Sequence, residues 1–348
     1  MTRIYLIRHA EAEGNLYRIA QGHMNGTITD LGYLQLAALE KRFAPIHIDA
    51  VYSSDLRRAC ITARAIYRPK GLPLHKTPDF REVNMGVWEG RTWQELSMDE
   101  EKQLYYFNRD LSRWRVEGAE TAQQVLDRYI PALYRVAAEN EGKTVAVFSH
   151  GAAMRIVLGT LQGIPMEELG TTPHGDNTSV SLLEVENGQI RVVYRDDNSH
   201  LTEKGLSTFA RQSWWKDERM KEQGEYYRPM NDTYRAELAA LGVTVPDGGL
   251  CYAIRFGFET IGLYQLLPEK DQRYGWIGWY WLTPAWRGKH LGVPPLGQAV
   301  VYYRRRGVEY LRLTCPDEGS RGFFQKYGFR PVEGDIMEKY IGFSEDEV

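Results

Sequence analysis

The chain has 348 residues, long for one domain and comfortable for two. Its 43% hydrophobic, 26% charged and 12% aromatic residues, with a formal net charge of -3, describe an ordinary globular protein without the basic field that nucleic acid requires. Cys60, Cys251 and Cys315 form no CxxC pair or disulfide framework, there is no signal-peptide pattern, and no apolar run approaches the ~20 residues of a bilayer span, so a cytoplasmic location without a membrane partner is expected.

Residues 3–7 read as a short buried strand that stops at Arg8-His9. Thr29-Asp30 opens an amphipathic helix with Leu31, Leu34, Leu36, Ala38 and Leu39 on its apolar face. Residues 48–54 form a second strand, and Ser54 or Asp55 is positioned to cap the helix over 55–67. A further helix lies within 113–140, a third strand spans 143–151, a helix follows over 151–163, and 179–196 form a hairpin with Asn187-Gly188 at its tip. Strands alternating with helices predict an α/β domain with a mainly parallel sheet over residues 1–201. Residues 202–249 are expected to be helical connector, or the early helices of the domain that follows, because Trp214, Trp215 and Tyr226-Tyr227 need burial. Residues 250–348 form a second, α+β domain: two antiparallel strands over 251–267 joined near Glu259-Thr260, a strand at 274–284, a helix at 294–307, a strand at 308–315, a short helix at 320–328 and a last strand near 335–342.

Three strands of the first domain end in residues suited to one anion: Arg8-His9, then Ser53-Ser54 leading to Arg57-Arg58, then Ser149-His150-Gly151. Ligands of open α/β sheets bind beyond the carboxyl ends of the strands, where helix N-termini also point their N–H groups. Guanidinium matches phosphate oxygens, and a neutral imidazole can attack phosphorus. The set suits phosphoryl transfer, which depends mostly on positioning and charge stabilisation.

With these residues the chain resembles the histidine phosphatase, or phosphoglycerate mutase-like, superfamily over roughly residues 1–200. Arg8-His9-Ala10-Glu11-Ala12 with Asn15 stands for the family's Arg-His-Gly-Glu-Thr and following Asn. Gln21-Gly22, Thr29 to Gly32 with Gln35, Ser53 to Ala59 with Thr62-Ala63, Arg81-Glu82 before Gly86 to Gly90, and Ser149-His150-Gly151 follow in family order. The resemblance implies an α/β/α sandwich and metal-independent hydrolysis of a small phosphorylated metabolite through a phosphohistidine. It implies His9 as nucleophile, Arg8, Arg58 and His150 as phosphate ligands with Asn15, Gln21, Gly22 and Gly151, and Glu82 as general acid. Arg57 competes with Arg58, and Glu11, Glu13 and Glu89 compete with Glu82. Ala10 and Ala12 depart from the family's Gly and Thr, and Ala10 would carry strain if that position needs positive φ. A mutase is the alternative, but the domain looks compact, without the long shielding insertions of true mutases, which favours hydrolysis. Residues 98–118 are expected to cover the pocket and set substrate choice, with their tyrosines, Arg109, Arg113 and Arg115 as substrate ligands or, more simply, as cap packing and solvated charge.

Residues 280–300 carry a second candidate site. A strand ending at Leu282 is followed by Arg287-Gly288-Lys289-His290-Leu291-Gly292 and by a helix near Pro294, a basic, glycine-containing turn that suits a pyrophosphate. This segment resembles the acyl-CoA-binding core of the GNAT acetyltransferases over about residues 250–343, with Phe324 to Phe329 standing for the family's Tyr-x-Lys-x-Gly-Phe. The resemblance implies acetyl-CoA as cofactor, held by Leu282 and Arg287 to Gly292, and an amine acceptor. His290 replaces a motif glycine, Phe324 replaces the general-acid tyrosine, and strand 274–282 has no carboxylate base; Tyr327 is a substitute acid or, more simply, core packing. The domain is therefore an acetyltransferase, making the chain bifunctional, or a non-catalytic acyl-CoA sensor or structural module. The eight histidines show no metal-ligand spacing, so no metal is expected. The Arg304-Arg305-Arg306 run is expected to be a solvated helix end, not a nucleic-acid patch.

Overall fold

In the computed structural model, which describes residues 1–203, 205–211, 224–269 and 272–344, the apolar run after Met1 is β1 (Thr2–Arg8). The first half continues through α1 (Asp30–Phe43), β2 (Ala50–Ser54), α2 (Arg57–Tyr67), β3 (Leu74–Thr77), α3 (Trp93–Asp99), α4 (Glu101–Arg109), α5 (Ala122–Glu139), β4 (Thr144–Ser149), α6 (Gly151–Leu161), β5 (Val180–Glu186) and β6 (Gln189–Asp197). The strands form one sheet in the order β3-β2-β4-β1-β5-β6, parallel from β3 to β1 and antiparallel at β5 and β6. Both faces of β1 and β4 are covered, which is why they read as near-continuous apolar runs. Ile4, Leu6, Val145 and Val147 pack under α5 and α6, whereas Ile7, Ala146 and Phe148 pack under α1 and α2. The result is the expected α/β/α sandwich.

The register sets the site. Arg8 pairs with Ser149, so β1 and β4 end level and His9 and His150 follow them side by side. Thr29 caps α1 by accepting from the Gly32 amide at 3.1 Å. The expected cap of α2 is corrected: Leu56 occupies the N-cap position without a side-chain bond. Ser54 Oγ accepts from the Leu56 amide at 3.2 Å, and Asp55 is drawn away into a paired ion contact with Arg81. At the predicted hairpin tip Asn187 and Gly188 have φ of 51° and 73°, as a two-residue turn of this hand requires.

The second half contains β7 (Glu225–Pro229), α7 (Asp232–Ala240), β8 (Leu250–Phe256), β9 (Glu259–Leu267), β10 (Tyr274–Leu282), α8 (Val293–Arg304), β11 (Tyr310–Thr314), α9 (Glu318–Lys326), β12 (Arg330–Glu333) and β13 (Ile336–Tyr340), with sheet order β12-β13-β11-β10-β9-β8-β7. The connector expectation is corrected at Tyr226-Tyr227, which lie in β7 paired with β8; the Tyr227 ring meets Tyr264 edge-on at 5.5 Å. Trp214 and Trp215 lie outside the described residues. The turn between β8 and β9 falls at Gly257-Phe258, two residues earlier than expected, because Gly257 takes φ of 56°.

β10 and β11 run parallel only from Tyr274 to Ile277. A bulge between Ile277 and Trp279 then keeps β10 with β9 as far as Leu282, and the sheet splays open where the Arg287–Gly292 turn enters α8. The two halves pack directly. Tyr17 and Ile19 join the apolar core of the second sheet, and a Cβ on Gly297 of α8 would lie only 2.3 Å from that of Tyr17. Among the described residues no helix is long and apolar enough to cross a membrane.

Candidate active sites at the strand ends

The His9 amide donates to Ser149 O at 2.9 Å, and its ring Nδ1 lies 2.7 Å from Ala10 O. A carbonyl only accepts, so Nδ1 carries the proton and Nε2 presents its lone pair. His150 Nε2 lies 2.8 Å from Ser54 Oγ, and the two imidazole centroids are 5.2 Å apart. Both rings are buried. His9 is held well below the usual histidine range by burial, then by the charges of Arg58 and Arg8; His150 is depressed by burial, then by Arg58 and His9. A neutral, tautomerically defined imidazole is what attack on phosphorus requires.

Arg58, only 1% exposed, donates to Gly22 O at 2.7 Å and Met24 O at 3.0 Å, and burial pushes it down to about 10. Arg8 donates to Gly175 O. Arg8 Nε, Arg58 Nε and His150 Nδ1 are buried and have no hydrogen-bond partner among the described residues. Leaving buried polar groups unpaired costs about 1–3 kcal/mol each, and a phosphate oxygen is the natural partner for the arginine donors. Gly151 keeps this corner clear, since a Cβ there would lie 3.0 Å from Arg8 Nε.

Glu82 sits at the start of α6. Its carboxylate accepts from the amides of Val83 at 3.0 Å, Ala153 at 2.7 Å and Ala152 at 3.1 Å, and its charge supports those of Arg8 and Arg58. The competing carboxylates are engaged elsewhere. Glu13 is held by both terminal nitrogens of Arg304, Glu89 accepts from the His23 and Met85 amides, and Glu11 accepts from Thr29 Oγ1 at 2.7 Å. Arg57 reaches Ser344 O and the Phe343 ring. Asn15 Oδ1 accepts from the Ala12 amide at 3.0 Å, Gln21 packs against Gly14, and Gly22 contributes its carbonyl to Arg58. Ala10 is not among the residues with positive φ, so its methyl carries no such strain. Within residues 98–118, Phe107 and Trp114 join the first core, whereas Arg113 pairs with Asp110 and Arg115 donates to Trp114 O.

The structure also recruits residues that the motifs did not single out. Asn177 Nδ2 donates to His9 O at 2.9 Å, and Asp176 supports the Arg8 charge. Arg128 donates to the carbonyls of Asp79, Arg81 and Glu82 while paired with Glu120, and His23 Nε2 lies 2.8 Å from Glu82 O. The polar run Gly175 to Ser179 before an apolar strand is a signal for the first pair; nothing local marks Arg128. Among the described residues no group of three His, Cys, Asp or Glu is placed to hold a metal ion.

At the second site, Arg287 Nε donates to Leu282 O at 2.9 Å, closing the turn. The backbone N–H groups of Gly288, Lys289, His290, Leu291 and Gly292 have no hydrogen-bond partner among the described residues. They precede the N-terminus of α8, where Pro294 and Pro295 need no donor. This donor run beside a helix end and splayed strands fits a pyrophosphate. His290 adopts φ of 62°, in the left-handed region that favours glycine. Phe324 is buried against Tyr280 and Phe329, and Tyr327 is half-buried with its hydroxyl pushed up by burial. β7 of the second sheet carries a buried carboxylate. Glu225 is 1% exposed, accepts from Tyr227 OH at 3.3 Å, and is pushed up to about 8 by burial despite the charge of Arg18. Reading 202–249 as connector concealed it.

Residues 4–198 match the family model of the histidine phosphatase superfamily (branch 1), and residues 209–329 match that of the acetyltransferase (GNAT) family. The chain is 27% identical over 210 residues to Phosphoserine phosphatase 1 of Hydrogenobacter thermophilus, covering 58% of this chain and 96% of that one. It is 32% identical over 168 residues to the Probable phosphoglycerate mutase GpmB of Salmonella choleraesuis, covering 47% and 77%. Among solved structures, Bacillus stearothermophilus YhfR superposes with a TM-score of 0.56 at 28% identity, covering 57% of this chain and 99% of that one. A mycobacterial glucosyl-3-phosphoglycerate phosphatase solved with VO3 has a TM-score of 0.53 at 23% identity over 56% and 98%, a likeness of fold. With more than half its length matched and the phosphatase motifs gathered at the carboxyl ends of β1, β2 and β4, the chain belongs to the histidine phosphatase superfamily and carries a GNAT domain behind it.

Proposed function

We propose that the N-terminal domain hydrolyses a small phosphomonoester through phosphorylated His9. The observation that carries this reading is the Nδ1 contact to Ala10 O, which leaves Nε2 as the nucleophile beside Arg8, Arg58 and His150. Nε2 attacks phosphorus and the bond to the leaving oxygen breaks. Arg8, Arg58 and His150 stabilise the charge on the nonbridging oxygens, and protonated Glu82 gives its proton to the leaving oxygen. Water then attacks the phosphohistidine, Glu82 takes up a proton from that water, and His9 and inorganic phosphate are released. The names of the relatives, phosphoserine phosphatase and phosphoglycerate mutase, support a small phosphorylated metabolite as substrate. Hydrolysis of an aryl phosphate with chelator present should be abolished by His9→Ala; equal rates in both proteins would remove His9 from this role.

For the C-terminal domain we infer acetyl-CoA binding, with the unpaired N–H groups of Gly288 to Gly292 on its pyrophosphate and Lys289 adding charge. Acetyl-CoA would supply the activated acyl group for an amine. Calorimetric titration with CoA tests the cradle, and acetyl-CoA consumption over an amine panel tests turnover. Binding without consumption would assign the domain as a sensor.

A further inference from the structure

Arg58 is aimed by a loop. Its two carbonyl acceptors, Gly22 O and Met24 O, lie within residues 20–26, which form neither helix nor strand. Loops move more than the elements they join, so a group held by one is placed accurately only when rigid elements support it. The second domain supplies that support. The Met24 side chain packs against the apolar core of the second sheet, while its carbonyl accepts from Arg58 at 3.0 Å. Gln298 Nε2, on α8, donates to Gly90 O at 3.0 Å, and the Gly90 amide donates to Ala20 O at 2.9 Å. Arg305, at the end of α8, donates to Glu89 O at 2.7 Å and approaches Met24 Sδ at 3.9 Å. Glu89 in turn accepts from the His23 amide at 2.6 Å.

We infer that the second domain positions the phosphate ligand of the first: Met24, Gln298 and Arg305 are positioning residues that fix Arg58 through residues 20–26. This rests on the phosphatase reading, in which Arg58 binds a nonbridging oxygen. None of the three touches a reacting atom, and their effect passes through Arg58. A shift of the loop moves both anchors of the guanidinium together, and misplacement by an ångström costs up to about 10²-fold in rate. Arg306, the next residue, provides a comparison. Its guanidinium donates to Tyr302 O and pairs with Glu269, both in the second domain.

The test uses full-length protein and two readouts: kcat on an aryl phosphate, and calorimetric titration with inorganic phosphate, followed through the binding event that Arg58→Ala removes. Met24→Ala, and separately Gln298→Ala with Arg305→Ala, should each lower kcat by about tenfold and weaken that event, while Arg306→Ala changes neither. Met24→Leu, which keeps the apolar contact, should restore both, and equal melting temperatures separate lost aim from lost folding. The deciding measurement is a double-mutant cycle. In an Arg58→Ala background the same changes should lower kcat no further, because the group they position is gone. Additive losses would show that they act on the fold at large and would overturn the inference. Unchanged kcat and phosphate binding in Met24→Ala and in Gln298→Ala with Arg305→Ala, while turnover still requires His9, would overturn it and leave the phosphatase reading standing. Turnover that survives His9→Ala removes that reading, and the Arg58-dependent phosphate event, weakened or not by Met24→Ala, then decides the positioning role alone.

Discussion

Arg304, on the last turn of α8, grips Glu13 through both terminal nitrogens at 2.7 and 2.9 Å, four residues beyond His9. The pair is mostly buried, with side-chain exposures of 13% and 9%. The run expected to be a solvated helix end therefore joins the two domains, and Arg305 adds a contact to Glu89 O at 2.7 Å. Removing one partner leaves the other charge buried and uncompensated, which costs about 3–5 kcal/mol. Arg304→Met should lower stability by roughly that much, and Glu13→Gln with Arg304→Met should recover part of it. Urea unfolding of the single and double variants measures both; a neutral Arg304→Met would contradict the reading.

Glu82 as general acid predicts a dependence on the leaving group. Glu82→Gln should slow hydrolysis of an alkyl phosphate by about 10²- to 10⁴-fold. The loss should be much smaller for an aryl phosphate whose leaving oxygen needs little protonation. The same pair of substrates with Glu11→Gln should show no such split. Equal losses on both substrates for Glu82→Gln would remove the acid role.

Arg128 touches no reacting atom in the proposed mechanism, yet it binds the carbonyls of Asp79, Arg81 and Glu82 and so holds the loop that presents the acid. Arg128→Met should reduce kcat about 10- to 100-fold on alkyl phosphate while KM changes little, because misplacing a group by an ångström is enough to cause such a loss. A change confined to KM would show that the loop reports on substrate binding instead.

The buried histidines make acid stability predictable in sign. His9 and His150 are held well below 6.5, and His200 is pushed down to about 4, chiefly by burial in each case. Below the unfolded value of 6.5 the unfolded chain takes up protons that the native chain refuses. Their contribution is fully present above that value and is lost as pH falls, by up to about 1.4 kcal/mol per pH unit for each group. Urea midpoints at pH 7.5, 6 and 5 should fall in that order, and a flat series would contradict the depressed state.

His290 holds a left-handed backbone conformation that costs a non-glycine residue about 1–2 kcal/mol. His290→Gly should raise stability by somewhat less than that, since glycine also loses more chain entropy. The same change should strengthen CoA binding if the turn holds pyrophosphate. Calorimetry with CoA and a thermal melt read the two effects separately.

The motif pairs at strand ends were legible in the sequence because a parallel sheet brings its carboxyl ends together whatever the details of packing. The apolar runs before Arg8, Ser53 and Ser149 therefore pointed to His9, the Arg57-Arg58 pair and His150, and the family resemblance favoured Arg58. The Arg287–Gly292 turn was legible for the same local reason, a strand end, glycines and a helix start. Other features rest on contacts between residues far apart in the chain, and only the tertiary structure decided them. The Ala10 carbonyl bond that leaves His9 Nε2 bare needs the backbone path after β1. The bonds of Glu82 to the start of α6, and of Glu13 to an arginine 291 residues away, are contacts that no local pattern announces. Glu225 was concealed because an edge strand of aromatic and charged residues has no periodic signature until β8 pairs with it. The seam between the domains belongs to neither half alone, because Tyr17 meets Gly297 only once both domains have folded.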